Sequence, residues 1–121
     1  MKKILLVPLD DRPVNTEDPR WMGRLVEETI QLPPHALLGK FTRPGNPEKI
    51  LTWLSRNLPA ACAVIVSIDM ITYGGLIASR TMATPFKGAN ARLHKLFQLI
   101  QHHPNTPFYL FSILSLFLIK N

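Results

Sequence analysis

Acidic side chains follow two apolar runs of the sequence at the point where each run ends. Asp10 and Asp11 close the N-terminal run, and Arg12 comes next. Asp69 follows the apolar run Val64–Ile68 in the same way. A carboxylate at the end of a strand can grip a sugar hydroxyl, hold a hard cation such as Mg²⁺, or act as a general acid or base. We predict catalytic roles for Asp10 and Asp69, and substrate binding by Asp11 and Arg12.

The same three residues at the N-terminal run also have a purely structural interpretation. Successive residues of an extended chain point in opposite directions, so one aspartate is expected to face the edge of the sheet. The other would pair with Arg12 or cap a backbone turn. In the structural interpretation, both Asp10 and Asp11 only close the loop through hydrogen bonds, and the sequence leaves the two possibilities open.

A second group of polar and glycine residues follows the Val64–Ile68 run. Tyr73, Gly74 and Gly75 are predicted to bind substrate, because glycine permits positive φ angles and a close approach of backbone to ligand. An ordinary tight turn would use the same glycines. Ser79 and Arg80 are predicted to orient an anionic or hydroxylated ligand, although this arginine could instead pair with an aspartate. The glycine pair matches neither the dinucleotide fingerprint nor the phosphate loop, so a nucleotide site has no specific support.

The histidines and the single cysteine show no metal-binding spacing. The four histidines form no HExxH or similar pattern, and Cys62 has no CxxC partner, so we predict no zinc site. Cys62 lies among alanines before an apolar run and is expected to be a buried structural thiol. We predict no cofactor, with one alternative. In that alternative, Asp10, Asp11 and Asp69 hold Mg²⁺ and an arginine binds phosphate.

The chain is basic, but its charge is dispersed. Fourteen Lys and Arg residues against eight Asp and Glu residues give a formal charge of +6 at pH 7. They form no basic stripe interleaved with aromatic residues, which argues against nucleic acid as a partner. The N-terminal run stops at Pro8, too early for a signal peptide, and Phe108–Ile119 falls short of the about 20 apolar residues that span a bilayer. We predict a cytoplasmic protein with a small-molecule or carbohydrate ligand and no membrane partner; its oligomeric state stays open.

Apolar runs of strand length alternate with segments of helical periodicity. The expected strands are Lys3–Leu9, a very short segment within Gln31–Pro34, Ala63–Ile68 and Phe108–Ser112. This alternation implies an α/β fold with a parallel β-sheet, either an open doubly wound sheet or the first βα units of a barrel. In both architectures ligands bind beyond the carboxyl ends of the strands. At 121 residues, the chain is a single α/β domain or the N-terminal fragment of a longer α/β enzyme.

Three helices are expected between these strands, and their start signals are the following. Asp18 and Pro19 begin the first, Asn46 and Pro47 begin the second, and Asn90 begins a third that ends at His102. Met22, Trp21 and Trp53 are expected to face the core. Residues 69–85 are expected to form a loop, and residues 114–119 an exposed apolar tail.

Several stretches resemble one bacterial protein family. They are KILLVPLDDRPVN, LPP, LLGKFTRPGN, TWL and above all SIDMITYGGLIASR. Together they resemble the N-terminal part of the family catalogued as domain of unknown function 4127. The resemblance implies an α/β fold in a much longer protein, of which this chain corresponds to about the first quarter. The final ILSLFLIKN departs from the family pattern, and we hypothesise a frameshift or premature stop there.

Our leading functional hypothesis is a carbohydrate-active enzyme that hydrolyses a glycosidic bond, with this chain as its N-terminal fragment. It rests on carboxylates at several strand ends together with Tyr73. Two alternatives stay open: a Mg²⁺-assisted phosphoester enzyme using the same edge, and a truncated chain without catalytic function.

Overall fold

The computed structural model describes residues 3–25, 29–40, 44–75, 86–112 and 116–119. The strands are β1 (Lys3–Val7), β2 (Thr29–Gln31), β3 (Ala61–Ser67), β4 (Phe108–Phe111) and β5 (Leu116–Ile119). The α-helices are α1 (Pro13–Leu25), α2 (Pro47–Asn57), α3 (Ile68–Tyr73) and α4 (Phe86–His102). Short 3₁₀ turns occupy His35–Leu38 and Leu58–Ala60.

The strands form one sheet in the order β2-β1-β3-β4-β5. The first four are parallel, and β5 pairs antiparallel with β4. The predicted α/β fold with a parallel sheet and alternating helices is therefore confirmed. Among the described strands β2 and β5 lie at opposite edges, which is the arrangement of an open sheet. The segment Leu116–Ile119, expected as a tail, instead continues this sheet.

One face of the sheet carries the main core. Its strand residues are Leu5, Val7, Val64, Val66, Phe108 and Leu110, which pair across β1, β3 and β4 in two rows. The helices add Ile50, Leu51, Leu54, Met70, Ile71, Leu96 and Ile100 to the same cluster. Burying each such side chain contributes about 1.5–3 kcal/mol. This packing fixes where the strands end, and hence where the polar loops begin.

Helix α1 begins earlier than predicted. It starts at Pro13, and Pro19 lies inside it. Either proline suits a first helical position, where the missing N–H has no partner to lose. Backbone hydrogen bonds place the helix start at Pro13, because the amides of Asn15 and Thr16 both donate to the Arg12 carbonyl oxygen, at 2.9 and 3.2 Å. The hydroxyl of Thr16 donates to the same oxygen at 3.2 Å.

The predicted core-facing side of α1 is also wrong. Met22 is 67% exposed and Trp21 is 62% exposed. Among the side chains of α1 whose burial is described, the buried positions are Thr16 and Gly23, which lie two helical turns apart on another side of the helix. Trp53 on α2, by contrast, packs against the core as expected.

Cys62 is exposed, so the prediction of a buried thiol is wrong. The register between β1 and β3 shifts there, since Lys3 pairs with Ala61 whereas Ile4 pairs with Ala63. Cys62 is therefore the extra residue of a bulge at the start of the strand, before β3 enters the core.

The remaining helices agree with the sequence only in part. The Asn46 side chain accepts from the amide of Lys49 and Pro47 opens α2, as predicted. Helix α4 starts at Phe86, so Asn90 lies within it, and it ends at His102 as expected. Residues 68–73, placed largely in a loop, form α3. None of the helices in the described part of the chain combines the length and apolar character that a membrane crossing requires.

We predict that Phe108→Ala lowers the free energy of unfolding by about 3–5 kcal/mol, because it empties a fully buried position in the central rows of the core. Phe97→Ala is the matched control, since Phe97 is 41% exposed on α4 and should cost less than about 1 kcal/mol. Urea denaturation followed by circular dichroism measures both. Equal losses for the two variants would contradict the assignment of the core.

Candidate functional site

The carboxyl ends of β1 and β3 lie side by side. Val7 pairs with Val66, and Asp10 and Asp69 each lie three residues beyond a member of that pair. The two predicted catalytic residues thus follow neighbouring strand ends at the same edge of the sheet. The parallel register brings together loops that are about sixty residues apart in the sequence.

Asp69 lies in the first turn of α3, not in a loop as predicted. The helix continues β3 without an intervening turn, because Ser67 ends the strand and caps the helix. Its hydroxyl oxygen accepts from the amide of Met70 at 3.2 Å. Ser67 is fully buried, so this cap fixes the direction in which the chain leaves the sheet.

The Asp69 carboxylate is buried without a complete set of partners. The side chain is 8% exposed, and among the described residues no hydrogen bond reaches its Oδ2 atom. Buried polar atoms in folded proteins almost always have a partner, because leaving water without one costs free energy. Its position in the first helical turn partly offsets that cost, since the exposed amides there carry partial positive charge. In the described part of the chain, this oxygen is the one buried side-chain nitrogen or oxygen atom without a hydrogen-bond partner.

Asp10 has the opposite character, because both of its carboxylate oxygens are occupied. Oδ1 accepts from the Arg12 amide at 3.0 Å and from Asn15 Nδ2 at 2.7 Å. Oδ2 accepts from Arg12 Nε at 2.9 Å, with the Asp10 side chain 18% exposed and that of Arg12 58% exposed. These bonds order the turn that starts α1. They also hold the guanidinium of Arg12 through its Nε atom.

Asn15 is a site residue that the sequence analysis did not single out. Its amide holds the Asp10 carboxylate across five residues. The D-x-R-x-x-N spacing contains all three residues of this hydrogen-bonded turn. It predicts the bond from Asn15 only once α1 is known to start at Pro13, because the helix then brings Asn15 back over the turn. Neighbouring Asp11 is half-buried, and no described residue hydrogen-bonds its carboxylate.

The glycine pair joins the two loops. Gly75 has a φ of 139°, and its amide donates to the Asp69 carbonyl oxygen at 3.3 Å. A Cβ atom at Gly75 would lie 3.6 Å from the carbonyl oxygen of Leu9, the residue before Asp10. The loop after β1 and the end of α3 are therefore in contact at this glycine.

Gly74 brings in a third loop. Its φ of 88° ends α3 in the left-handed region, and its carbonyl oxygen accepts from the amide of Gly45 at 2.7 Å. A Cβ at Gly74 would lie 2.9 Å from that nitrogen, and one at Gly45 would lie 2.6 Å from the carbonyl oxygen of Leu37. Only glycine permits both backbones to approach so closely.

The structure thus places most of the predicted site residues at one edge. The Asp10–Arg12 turn, Asp69 and the Gly74-Gly75 pair meet there, and Tyr73 lies half-buried at the last position of α3. Ser79 and Arg80 lie outside the described residues. Within the part of the chain that is described, no group of three or more His, Cys, Asp or Glu side chains is arranged to hold a metal ion.

We predict that Gly74→Ala destabilises the protein by about 1–3 kcal/mol, because it combines a left-handed φ with a Cβ pressed against the Gly45 amide. Gly74→Asn separates the two effects, since asparagine tolerates the left-handed region but keeps the contact. Thermal unfolding should rank wild type above the asparagine variant and that above the alanine variant. Unchanged stability in Gly74→Ala would contradict the contact between the two loops.

Comparison with known proteins places the chain in a family without an assigned activity. No curated protein and no solved structure matches it significantly. The sequence model of the family described as "Protein of unknown function (DUF4127)" matches residues 4–118. This match covers nearly the whole chain and includes both carboxylate loops. The chain therefore belongs to the DUF4127 family.

Proposed function

We propose that the carboxyl edge of this sheet binds a carbohydrate and forms part of the site of an enzyme that hydrolyses a glycosidic bond. The observation that carries the proposal is the buried Oδ2 atom of Asp69, which has no hydrogen-bond partner among the described residues. A sugar hydroxyl would supply the missing donor, provided that a small movement of the side chain exposes this buried oxygen to the ligand. A carboxylate that is already buried also loses little further hydration when the ligand arrives, so more of the hydrogen-bond energy contributes to binding.

Asp69 is the residue best placed to act on the substrate. It lies on a helix capped by a fully buried serine, so its backbone is held by the core and not by a free loop. Glycoside hydrolysis uses two carboxyl groups about 5–10 Å apart, one as a general acid and the other as a base or nucleophile. In this proposal Asp69 is one of them, and the Asp10-Asp11 pair on the neighbouring strand end supplies the other.

The hydrogen bonds divide the roles within that pair. Asp10 is occupied by Arg12 and Asn15 and orients the guanidinium, whose remaining N–H groups would donate to ring or hydroxyl oxygens of a sugar. Asp11 has no hydrogen-bond partner among the described residues, and in this scheme it accepts from a hydroxyl of the ligand. Tyr73, Ser79 and Arg80 stay predicted ligand contacts in this scheme.

The charge of the described loops favours some sugars over others. In the described loops after β1 and β3, three carboxylates, on Asp10, Asp11 and Asp69, stand against the guanidinium of Arg12, and that of Arg92 lies at the carbonyl end of α3. This local excess of negative charge would repel a sugar acid and attract an amino sugar, whereas a neutral sugar would be affected least. The whole chain carries a formal charge of +6, which would favour the opposite preference. The local charge is expected to dominate, because charges near the ligand act more strongly than distant ones that salt screens.

The direct test is a panel of chromogenic glycosides assayed with and without EDTA, together with saturation-transfer NMR on glucosamine, glucose and glucuronate. The proposal expects binding in the order glucosamine, glucose, glucuronate, and hydrolysis that EDTA leaves unchanged. Loss of activity in EDTA would favour the Mg²⁺-assisted phosphoester alternative. Absence of binding by all three sugars would contradict the proposal.

We predict that Asp69→Asn weakens binding of glucosamine by about 10- to 150-fold, because a hydrogen bond to a charged group contributes about 1.5–3 kcal/mol. The melting temperature should change by less than about 2 °C, since the substitution keeps the shape of the side chain and removes a buried charge. Glu48→Gln is the matched control, because Glu48 is exposed on α2 and pairs with Lys95. Unchanged affinity in Asp69→Asn would remove this residue from the site.

A further inference from the structure

The carbonyl end of α3 is held by an arginine from another helix. Arg92 on α4 donates from Nε to the carbonyl oxygens of Ile71 and Thr72, at 3.2 and 2.9 Å. Its Nη2 donates to the Thr72 oxygen as well. Arg92 is half-buried, so these bonds are partly shielded from water.

Helix α3 needs such an anchor because it has only six residues. The last carbonyls of a helix have no intrahelical donor, and a helix this short has few internal hydrogen bonds to compensate. A cation at the carbonyl end also interacts favourably with the helix dipole. The guanidinium provides both the donors and the charge, whereas Ser67 holds the opposite end.

The anchored end and Asp69 belong to one short rigid unit. Met70 and Ile71 are fully buried and fix the helix sideways against the core. Any small rotation of α3, or slide along its axis, would carry the carboxylate with it. The hydrogen bonds of Arg92 oppose such a movement from the carbonyl end, less than one helical turn from Asp69.

A glycine on α4 leaves space for the guanidinium. Gly88 lies one turn before Arg92, and a Cβ atom there would lie 3.2 Å from Arg92 Nη1. That distance is shorter than ordinary van der Waals contact, so an alanine would push against the group that holds α3. Gly88 lies within a helix, where alanine is the better helix former, so nothing in the local backbone requires glycine.

We infer that Arg92 is a positioning residue for Asp69: it fixes α3, and with it the buried, unpartnered carboxylate, at the carboxyl edge of the sheet. The inference rests on the proposed function only for the identity of the ligand. The placement of α3 by Arg92 is a separate statement about the protein and can be measured without any sugar.

The test compares Arg92→Gln, Arg92→Lys and Gly88→Ala with wild type by two readouts. The first is the ¹³C chemical shift of the Asp69 carboxyl carbon together with amide hydrogen exchange in α3, both recorded without ligand. The second is the affinity for glucosamine. Lys95→Gln is the control, because it removes a positive charge from the same helix at an exposed position.

We expect Arg92→Gln to shift the Asp69 carboxyl signal, to speed exchange in α3 and to weaken glucosamine binding roughly 3- to 30-fold. Arg92→Lys should show each effect to a smaller extent than Arg92→Gln, since lysine keeps the charge but loses the planar donor group. Gly88→Ala should weaken binding without lowering the melting temperature, which a merely structural role for Arg92 would not produce.

Two outcomes separate this inference from the proposed function. If wild type binds no sugar but Arg92→Gln still moves the Asp69 carboxyl signal, the carbohydrate proposal fails and the positioning role stands. If the carboxyl signal and the exchange of α3 match wild type in Arg92→Gln, the positioning role is overturned, even where the melting temperature falls.

Discussion

The parallel pairing of β1 with β3 is the interaction on which the rest of the structure depends. The register that sets Val7 opposite Val66 aligns the ends of the two strands, and each chain then leaves the sheet at the same edge. The paired side chains on one face are fully buried beneath the helices, so the strands cannot slip by one residue without turning their apolar side chains away from the core. The relative position of the two carboxylate loops is therefore set by the core, and Gly75 adds a backbone contact between them at the site.

The short helix α3 carries Asp69, whose buried carboxylate oxygen opposes the stability of the fold. Asp69 keeps a carboxylate oxygen buried and without a described partner, at a cost that the protein must offset elsewhere. The offset comes from structure on either side of the residue. Ser67 caps the helix from within the core, and Arg92 holds its carbonyl end. Polar residues that oppose stability but are held this firmly are typical of binding and catalytic sites, where the ligand completes the missing interaction.

The DUF4127 family is described as having unknown function, so membership does not identify an activity. The fold does not identify one either, because an open α/β sheet supports many unrelated chemistries. A functional conclusion for this protein must come from the side chains at the carboxyl edge. There the residues separate into two groups. Asp10, Arg12 and Asn15 satisfy one another and shape the turn, whereas Asp11 and Asp69 offer oxygen atoms without described partners. In the proposed function, the second group supplies the hydrogen bonds to the ligand.

The sequence by itself determined the α/β class, the strands at Lys3, Val64 and Phe108, the start of α2 and the edge at which the polar residues collect. These features follow from local signals, such as apolar runs and the cap of α2, whose meaning does not depend on distant residues. Tertiary structure decided the rest. Pro13 and Pro19 each fit a helix start, and only the bonds to the Arg12 carbonyl select between them. The exposure of Cys62 follows from a register shift against another strand. The burial of Asp69 and its anchoring by Arg92 arise from contacts between segments far apart in the chain, which no local pattern encodes.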